Sequence, residues 1–435
     1  MYYTKVNMID VNVLTDFNPW WTGEKVSGAL LGRHRRPLLS QIKKYLEKRQ
    51  ILLVYGLRRV GKTTLFYQLI DFLLNKKIDP SNIFYFSFDE KSATIEEILK
   101  LYQEKVLKRQ FSQNERFFLF FDEIQKREDW QERIKIVYDR YPNIKIFLSG
   151  SASVALQKKS KESLAGRVFD FYLKPLNFAE FLGWREVTFD ITKLDLYNDK
   201  IFPFFLDYLR KGGFPEIVSE TDDEIIRNYI KNTVLERIIY KDLPLEFGLK
   251  DAELLKILLE MIVTEPGMIV NFDKLARDLG RSKVTIINYF EYLKYALIIQ
   301  EVKNLRPGFL VSSRKGKKIY PTNSSFCFAY HEDFYQEKVL SKIAEVVTVN
   351  FLEAAYYFRN SFEVDVVIKL RNKILPVEVK YGQVEEKSIL KFLDKFEVPE
   401  GIIVSKDKYQ RKNNLKIIPL WRFLLEGAKV QTDMV

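Results

Sequence analysis

The chain has 435 residues, more than one ordinary core serves, so two to four domains are expected. Hydrophobic residues make up 47% and aromatics 14%, which excludes a disordered chain, while 70 Lys+Arg against 58 Asp+Glu give a formal charge of +12 that fits a nucleic-acid partner. A single cysteine, Cys327, excludes internal disulfides and thiolate zinc sites, and with only His34 and His331 present, histidine-based metal sites and triads are not expected.

The opening "MYYTKVNMIDVN" lacks a basic segment followed by an apolar one, so no signal peptide is read. Runs such as "FFLFF" are far too short to span a bilayer. A cytoplasmic protein with no membrane partner is therefore expected. The Lys-, Glu-, Ile- and Tyr-rich composition hints at a thermophile. In "NPWW", Trp20 and Trp21 are expected to act as packing anchors.

The first chemical motif is "ILLVYGLRRVGKTTLFYQLI", residues 51–70. Gly56, Gly61, Lys62 and Thr63 fill every fixed position of G-x-x-x-x-G-K-[ST], with Arg58, Arg59 and Val60 inside the loop and Thr64 following it. "ILLVY" reads as a buried parallel strand and "TTLFYQLIDFLL" as a helix, the order such a loop requires. Its backbone N–H groups would surround the phosphates of ATP, Lys62 would reach the β- and γ-phosphates, and the Thr63 hydroxyl would hold Mg²⁺. The competing reading is a chance match in a basic turn.

"RFFLFFDEIQ" places Asp122 and Glu123 where a buried strand ends, the position at which open α/β sheets bind ligands. Asp122 would bind Mg²⁺, directly or through water, and Glu123 would orient the attacking water; the alternative is a solvated acidic turn. A third strand, "IKIFLSGSAS", ends in Ser149, Gly150 and Ser151. A polar residue there would touch the γ-phosphate or the water, or would be an ordinary turn residue.

"NPWW", "GLRRVGKT", "FFDEIQ", "LSGSAS", "LAGRV", "LKPLNFAEFL" and "KGGFPE" follow one another in this order. Together they resemble the archaeal and bacterial AAA+-like ATPases that carry a P-loop domain, a winged helix and a C-terminal nuclease-like domain, and the resemblance covers most of the chain. It implies a γ-phosphate-sensing role for Arg167, whose other reading is a solvated arginine capping a helix end. It also implies a sensor hydroxyl at Ser149, where the family commonly has Thr. In "YPTNSS" the family's typical Asp is replaced by Asn323, with a role left open.

The expected architecture is α/β. A parallel-sheet P-loop ATPase domain spans residues 1–175 and a helical lid 176–245, interrupted at "GGFP". A winged-helix domain follows over 246–330, and an α/β nuclease-like domain over 331–435. In "FDKLARDLGRSKVTIINYFEYLKYALIIQEV", helix, glycine turn, helix and strand read as a winged helix-turn-helix. Arg281, Lys283, Thr285 and Asn288 stand at the start of its second helix. "RPGFLVSSRKGKKIYP" reads as a hairpin with Arg314, Lys315, Lys317 and Lys318 at its tip, suited to DNA phosphates. A protein-packing module with a solvated basic hairpin is the other reading.

Near the end, "FEVDVVI" places Asp365 in one strand and "ILPVEVKYG" places Glu378 and Lys380 on one face of the next. Glu345 lies upstream in a helical stretch. The pattern resembles the PD-(D/E)xK nuclease core, in which two acids hold Mg²⁺ and a lysine polarises water or phosphate. Three functions stay open at this point. One is a Mg²⁺-dependent ATPase working on DNA. Another is a DNA nuclease gated by nucleotide, and the third a nucleotide-sensing scaffold for a protein partner. The expected partners are DNA and, as an option, further copies of the chain in a homo-oligomer.

Overall fold

The computed structural model describes residues 10–89, 93–112, 114–151, 164–306, 316–369 and 373–427. The chain divides into two compact units, Met1–Lys174 and Pro175–Val435.

The first unit is built on five strands: β1 (Ile51–Tyr55), β2 (Ile83–Ser87), β3 (Phe117–Asp122), β4 (Ile144–Gly150) and β5 (Val168–Tyr172). They lie in the order β2-β3-β4-β1-β5, all parallel. β2, β3 and β4 are buried at every position, which is why they read as unbroken apolar runs rather than alternating ones. Phe120 and Phe147 stack across β3 and β4 at a centroid distance of 4.2 Å, and Phe66 of the helix Lys62–Asn75 meets both edge-on.

β2 is an edge strand, and the "NPWW" segment covers it. Asn18 Nδ2 donates to Tyr85 O (2.8 Å) while its Oδ1 accepts from Tyr85 N (2.6 Å), so the side-chain amide pairs with the strand as a neighbouring strand would. The indole N–H groups of Trp20 and Trp21 both donate to Ile83 O at 2.9 Å. The tryptophans are thus packing anchors with a hydrogen-bonding end. Asn18→Ala would strand a buried N–H and C=O of Tyr85. It is expected to cost about 3 kcal/mol, read as a lower urea midpoint with an unchanged slope; an unaltered midpoint would contradict this role.

The second unit begins with helices, among them Phe178–Trp184, Asn198–Lys211 and Asp223–Asn228. Gly212 and Gly213 after the second of these both take left-handed φ (61° and 73°). A Cβ on Gly212 would lie 1.8 Å from Asn323 Oδ1, and one on Gly213 2.1 Å from Leu176 O. Asn323 Nδ2 donates to Gly212 O (2.7 Å), and its Oδ1 accepts from Ser325 N, capping the helix Ser324–Tyr330. Asn323 therefore has a structural place: it ties "YPTNSS" to "KGGFPE".

The helices Ala252–Thr264, Phe272–Asp278 and Lys283–Tyr295 come next. Strands β6 (Met268–Ile269), β7 (Ile299–Asn304) and β8 (Lys317–Pro321) accompany them, with β8 antiparallel to both others. The remaining strands are β9 (Tyr356–Arg359), β10 (Glu363–Lys369), β11 (Ile374–Lys380), β12 (Gly401–Ser405), β13 (Gln410–Lys412) and β14 (Leu415–Pro419). β7 also pairs in parallel with β9, Lys303 opposite Tyr356. Among the described residues this yields one nine-stranded sheet in the order β13-β14-β12-β11-β10-β9-β7-β8-β6. Strands from both sides of position 330 thus share a sheet. No described helix is long and apolar enough to cross a membrane.

Candidate active site

The chain leaves β1 through a turn that tolerates little bulk. A Cβ on Gly56 would stand 2.3 Å from Leu173 O, just beyond the adjacent β5. Arg59 and Gly61 both take left-handed φ, 65° and 95°, and curl the loop back so that the helix begins at Lys62. No side chain caps that helix, which leaves its first N–H groups for an anionic ligand. Val60 is buried, and its carbonyl accepts from Arg36 Nη1 at 3.3 Å; Arg36 Nη2 also reaches Lys174 O at 2.9 Å. Arg36 thus braces the loop from outside the motif. Arg58 is half-buried and Arg59 exposed, and Thr64 is half-exposed on the first helical turn.

Lys62 is 6% exposed. Its ammonium donates to Leu57 O (3.0 Å) and Gly56 O (3.3 Å) and stands 3.9 Å from Glu123 Oε1. The loop's own carbonyls hold the charge that a phosphate would take over.

Three hydroxyls converge on the carboxylate of Asp122. Thr63 Oγ1 donates to its Oδ2 at 2.6 Å, Tyr85 OH donates to the same oxygen at 2.9 Å, and Ser149 Oγ donates to Oδ1. Burial, with the neighbouring Glu123 charge, pushes this carboxyl above its ordinary value, and the three donors pull it back. Burial and Asp122 push the Tyr85 phenol well above its usual range, so it remains a donor. Glu123 takes left-handed φ (53°) directly after β3, and its Oε2 accepts from Gln125 Nε2 at 2.6 Å. The Glu123 N–H reaches Ser149 Oγ at 3.4 Å. Hence Lys62, Thr63, Asp122, Glu123 and Ser149 stand together at the carboxyl ends of β1, β3 and β4.

Arg167 is placed elsewhere. It precedes β5, its carbonyl accepts from Ile51 N at the start of β1, and its guanidinium grips Asp139 at 3.1 Å. The parallel strands carry it to the sheet edge opposite the loop, about 16 Å away at strand rise, so the γ-phosphate role is corrected to a structural ion pair. Tyr85, Arg36 and Gln125 were not singled out from the sequence. The signal available for Tyr85 was a phenol inside the buried run "IFYFS", which needs a hydrogen-bond partner.

A hydroxyl and a carboxylate 2.6 Å apart beside a phosphate-binding loop are hard oxygen donors that suit Mg²⁺, which takes its other ligands from phosphate and water. Thr63 and Asp122 are the residues that would hold it.

In the second unit, Ser282 caps the helix Lys283–Tyr295 by accepting from Thr285 N at 3.0 Å, and Thr285 is half-buried. Arg281 just before this helix, Lys283 at its start and Asn288 near its middle are exposed, with Arg281 paired to Asp251 (2.9 Å) and Lys283 to Asp273 (2.8 Å). Arg314 and Lys315 lie outside the described residues. Lys317 and Lys318 belong to β8 rather than to a hairpin tip. Lys317 pairs with Glu301 at 3.1 Å, and Lys318 is 6% exposed, which corrects its assignment as a DNA contact. The period of two in a strand sends adjacent lysines to opposite faces.

Lys318 enters the acidic cluster of the last strands. Its ammonium lies 2.7 Å from Glu363, 2.9 Å from Glu345 and 3.8 Å from Asp365. Asp365 Oδ2 accepts from Val379 N at 2.9 Å, and Lys380 pairs with Glu378 Oε1 at 2.6 Å. Burial, with Glu345 and Glu378, holds Asp365 well above the usual carboxylate range, against the pull of Lys318. Structure therefore gathers Glu345, Asp365, Glu378 and Lys380 as expected, and adds Lys318, Glu363 and Tyr320, whose hydroxyl donates to Glu345.

Comparison with known proteins agrees with this geometry for the first unit. The family described as an AAA domain matches residues 48–182. Over this segment, which holds the P-loop, the chain is similar to an AAA domain. Two families of domains of unknown function match residues 203–332 and 339–423. An uncharacterized protein of Haemophilus influenzae is 25% identical over 409 residues, covering 90% of this chain and 94% of its own. One from Methanocaldococcus jannaschii is 27% identical over 345 residues, covering 76% and 75%. Among solved structures, a Walker-type ATPase of Pyrococcus abyssi aligns at 16% identity with a TM-score of 0.38, covering 69% of this chain and 99% of that one. AMPPCP-bound DnaA from Aquifex aeolicus aligns at 16% identity with a TM-score of 0.29, covering 64% and 92%.

Proposed function

We propose that this protein is a Mg²⁺-dependent ATPase whose hydrolysis is coupled to binding or processing DNA. The observation that carries the ATPase reading is the set of Lys62, Thr63, Asp122, Glu123 and Ser149 at the ends of three parallel strands. On ATP binding, Lys62 exchanges the carbonyls of Gly56 and Leu57 for phosphate oxygens, a charge-assisted bond in place of neutral acceptors. Exchange would also leave Glu123 without its nearby ammonium, free to accept a hydrogen bond from the attacking water and then its proton. Ser149 and Tyr85 keep the Asp122 carboxylate aimed at Thr63. Mg²⁺ held by Thr63 and Asp122 would neutralise charge on the β- and γ-phosphates.

For DNA, the support is the exposed end of the helix Lys283–Tyr295, which reads as the recognition helix of a winged helix-turn-helix beside the β7–β8 pair. Arg281, Lys283 and Asn288 are exposed and offer donors. The test is duplex binding by the full chain across salt concentrations, with ATP turnover measured alongside. Arg281→Ala with Lys283→Ala should weaken binding to all sequences and lower the salt slope by about two. DNA affinity and slope that both stay put, with turnover indifferent to DNA, would favour the scaffold reading instead.

A further inference from the structure

The nuclease resemblance implies a divalent ion among Glu345, Asp365 and Glu378, and the residues present do not fit one. The place among the acids is taken by the Lys318 ammonium, within 3 Å of both Glu345 and Glu363. Glu345 Oε1 accepts from Tyr320 as well as Lys318, one Asp365 oxygen accepts from Val379 N, and one Glu378 oxygen is fixed by Lys380. Of the carboxylate oxygens in this cluster, Glu378 Oε2 is the one that is fully buried without a hydrogen-bond partner among the described residues. Among the described residues, no group of three acids, histidines or cysteines is arranged to hold a metal.

We infer that Lys318 is the resident cation of this cluster, standing where a divalent ion would otherwise be required. The chemistry favours it. Bringing three carboxylates together away from water is costly unless a cation answers them. Lys318 answers Glu345, Glu363 and Asp365, Arg359 stands 3.3 Å from Glu363, and Lys380 pairs with Glu378. A divalent ion entering beside a fixed ammonium would meet like charge at close range. Lys318 also reaches the cluster from β8, whereas Glu345 comes from the helix Glu337–Phe351 and Glu363 and Asp365 from β10. One ammonium therefore joins three separate elements of the shared sheet and its helix. The C-terminal strands on this account close without metal, and no metal-dependent strand cleavage takes place there.

The test is Mn²⁺ binding to the nucleotide-free full chain, followed by electron paramagnetic resonance of the free ion. It is independent of the ATPase reading, because the loop site lacks its phosphate ligands without nucleotide. Wild-type protein should show no site that depends on Asp365, whereas Lys318→Ala should gain one, at least tenfold tighter, that Asp365→Asn in the same background removes. Wild-type protein that binds one equivalent of Mn²⁺ and loses it in Asp365→Asn would overturn the inference. So would a folded Lys318→Ala protein that gains no site. If Lys318→Ala does not fold, Lys318→Met combined with Glu345→Gln and Glu363→Gln should restore folding by removing the unanswered charges. Failure of that triple variant to fold would likewise count against the counter-cation role.

Discussion

Lys62→Ala is expected to weaken ATP binding by roughly a hundredfold, the equivalent of about 3 kcal/mol for a lost charge-assisted hydrogen bond. The magnitude follows from where the ammonium sits. It is buried at the mouth of the loop, already free of most of its water, and held by two backbone carbonyls with Glu123 Oε1 at 3.9 Å. Phosphate is a far better partner than a carbonyl, so most of the gain appears on binding. Removing the ammonium leaves Gly56 O and Leu57 O to water and should change the fold little. Titration of a fluorescent ATP analogue, with circular dichroism as the control for folding, checks both halves. Unchanged affinity in a folded variant would remove Lys62 from the phosphate site.

Glu123→Gln should leave ATP bound and slow its hydrolysis by about a hundredfold or more, the scale of a lost general base. Glutamine keeps the length and can still bond Gln125, so the left-handed turn after β3 is retained. What it loses is the charge that orients and deprotonates water. The expected signature is a fall in kcat with little change in nucleotide affinity. Undiminished turnover would move the role to another residue.

The nucleotide site was legible in the sequence because its parts are local. A strand, a glycine loop and a helix are contiguous from Ile51 to Asn75, and Asp122 marks the end of its own apolar run. What was not legible depends on which distant segments meet. Arg167 follows β4 in sequence, but a parallel strand begins at the edge where the previous one did not end. Asn18 makes sense only once β2 is known to be an edge. Lys318 looked like one of four charges in a basic hairpin, although its i+2 neighbour Tyr320 shares its face and its partner, Glu345. No local pattern announces the parallel pairing of β7 with β9, which joins strands more than fifty positions apart and brings Lys318 to the acids.

Phosphate release from ATP by the purified full chain, in Mg²⁺ and then in excess EDTA, tests the central claim most directly. The arrangement of Lys62, Thr63, Asp122 and Glu123 predicts steady turnover with Mg²⁺ and its loss with EDTA. No release under either condition, from protein shown to be folded, would contradict it.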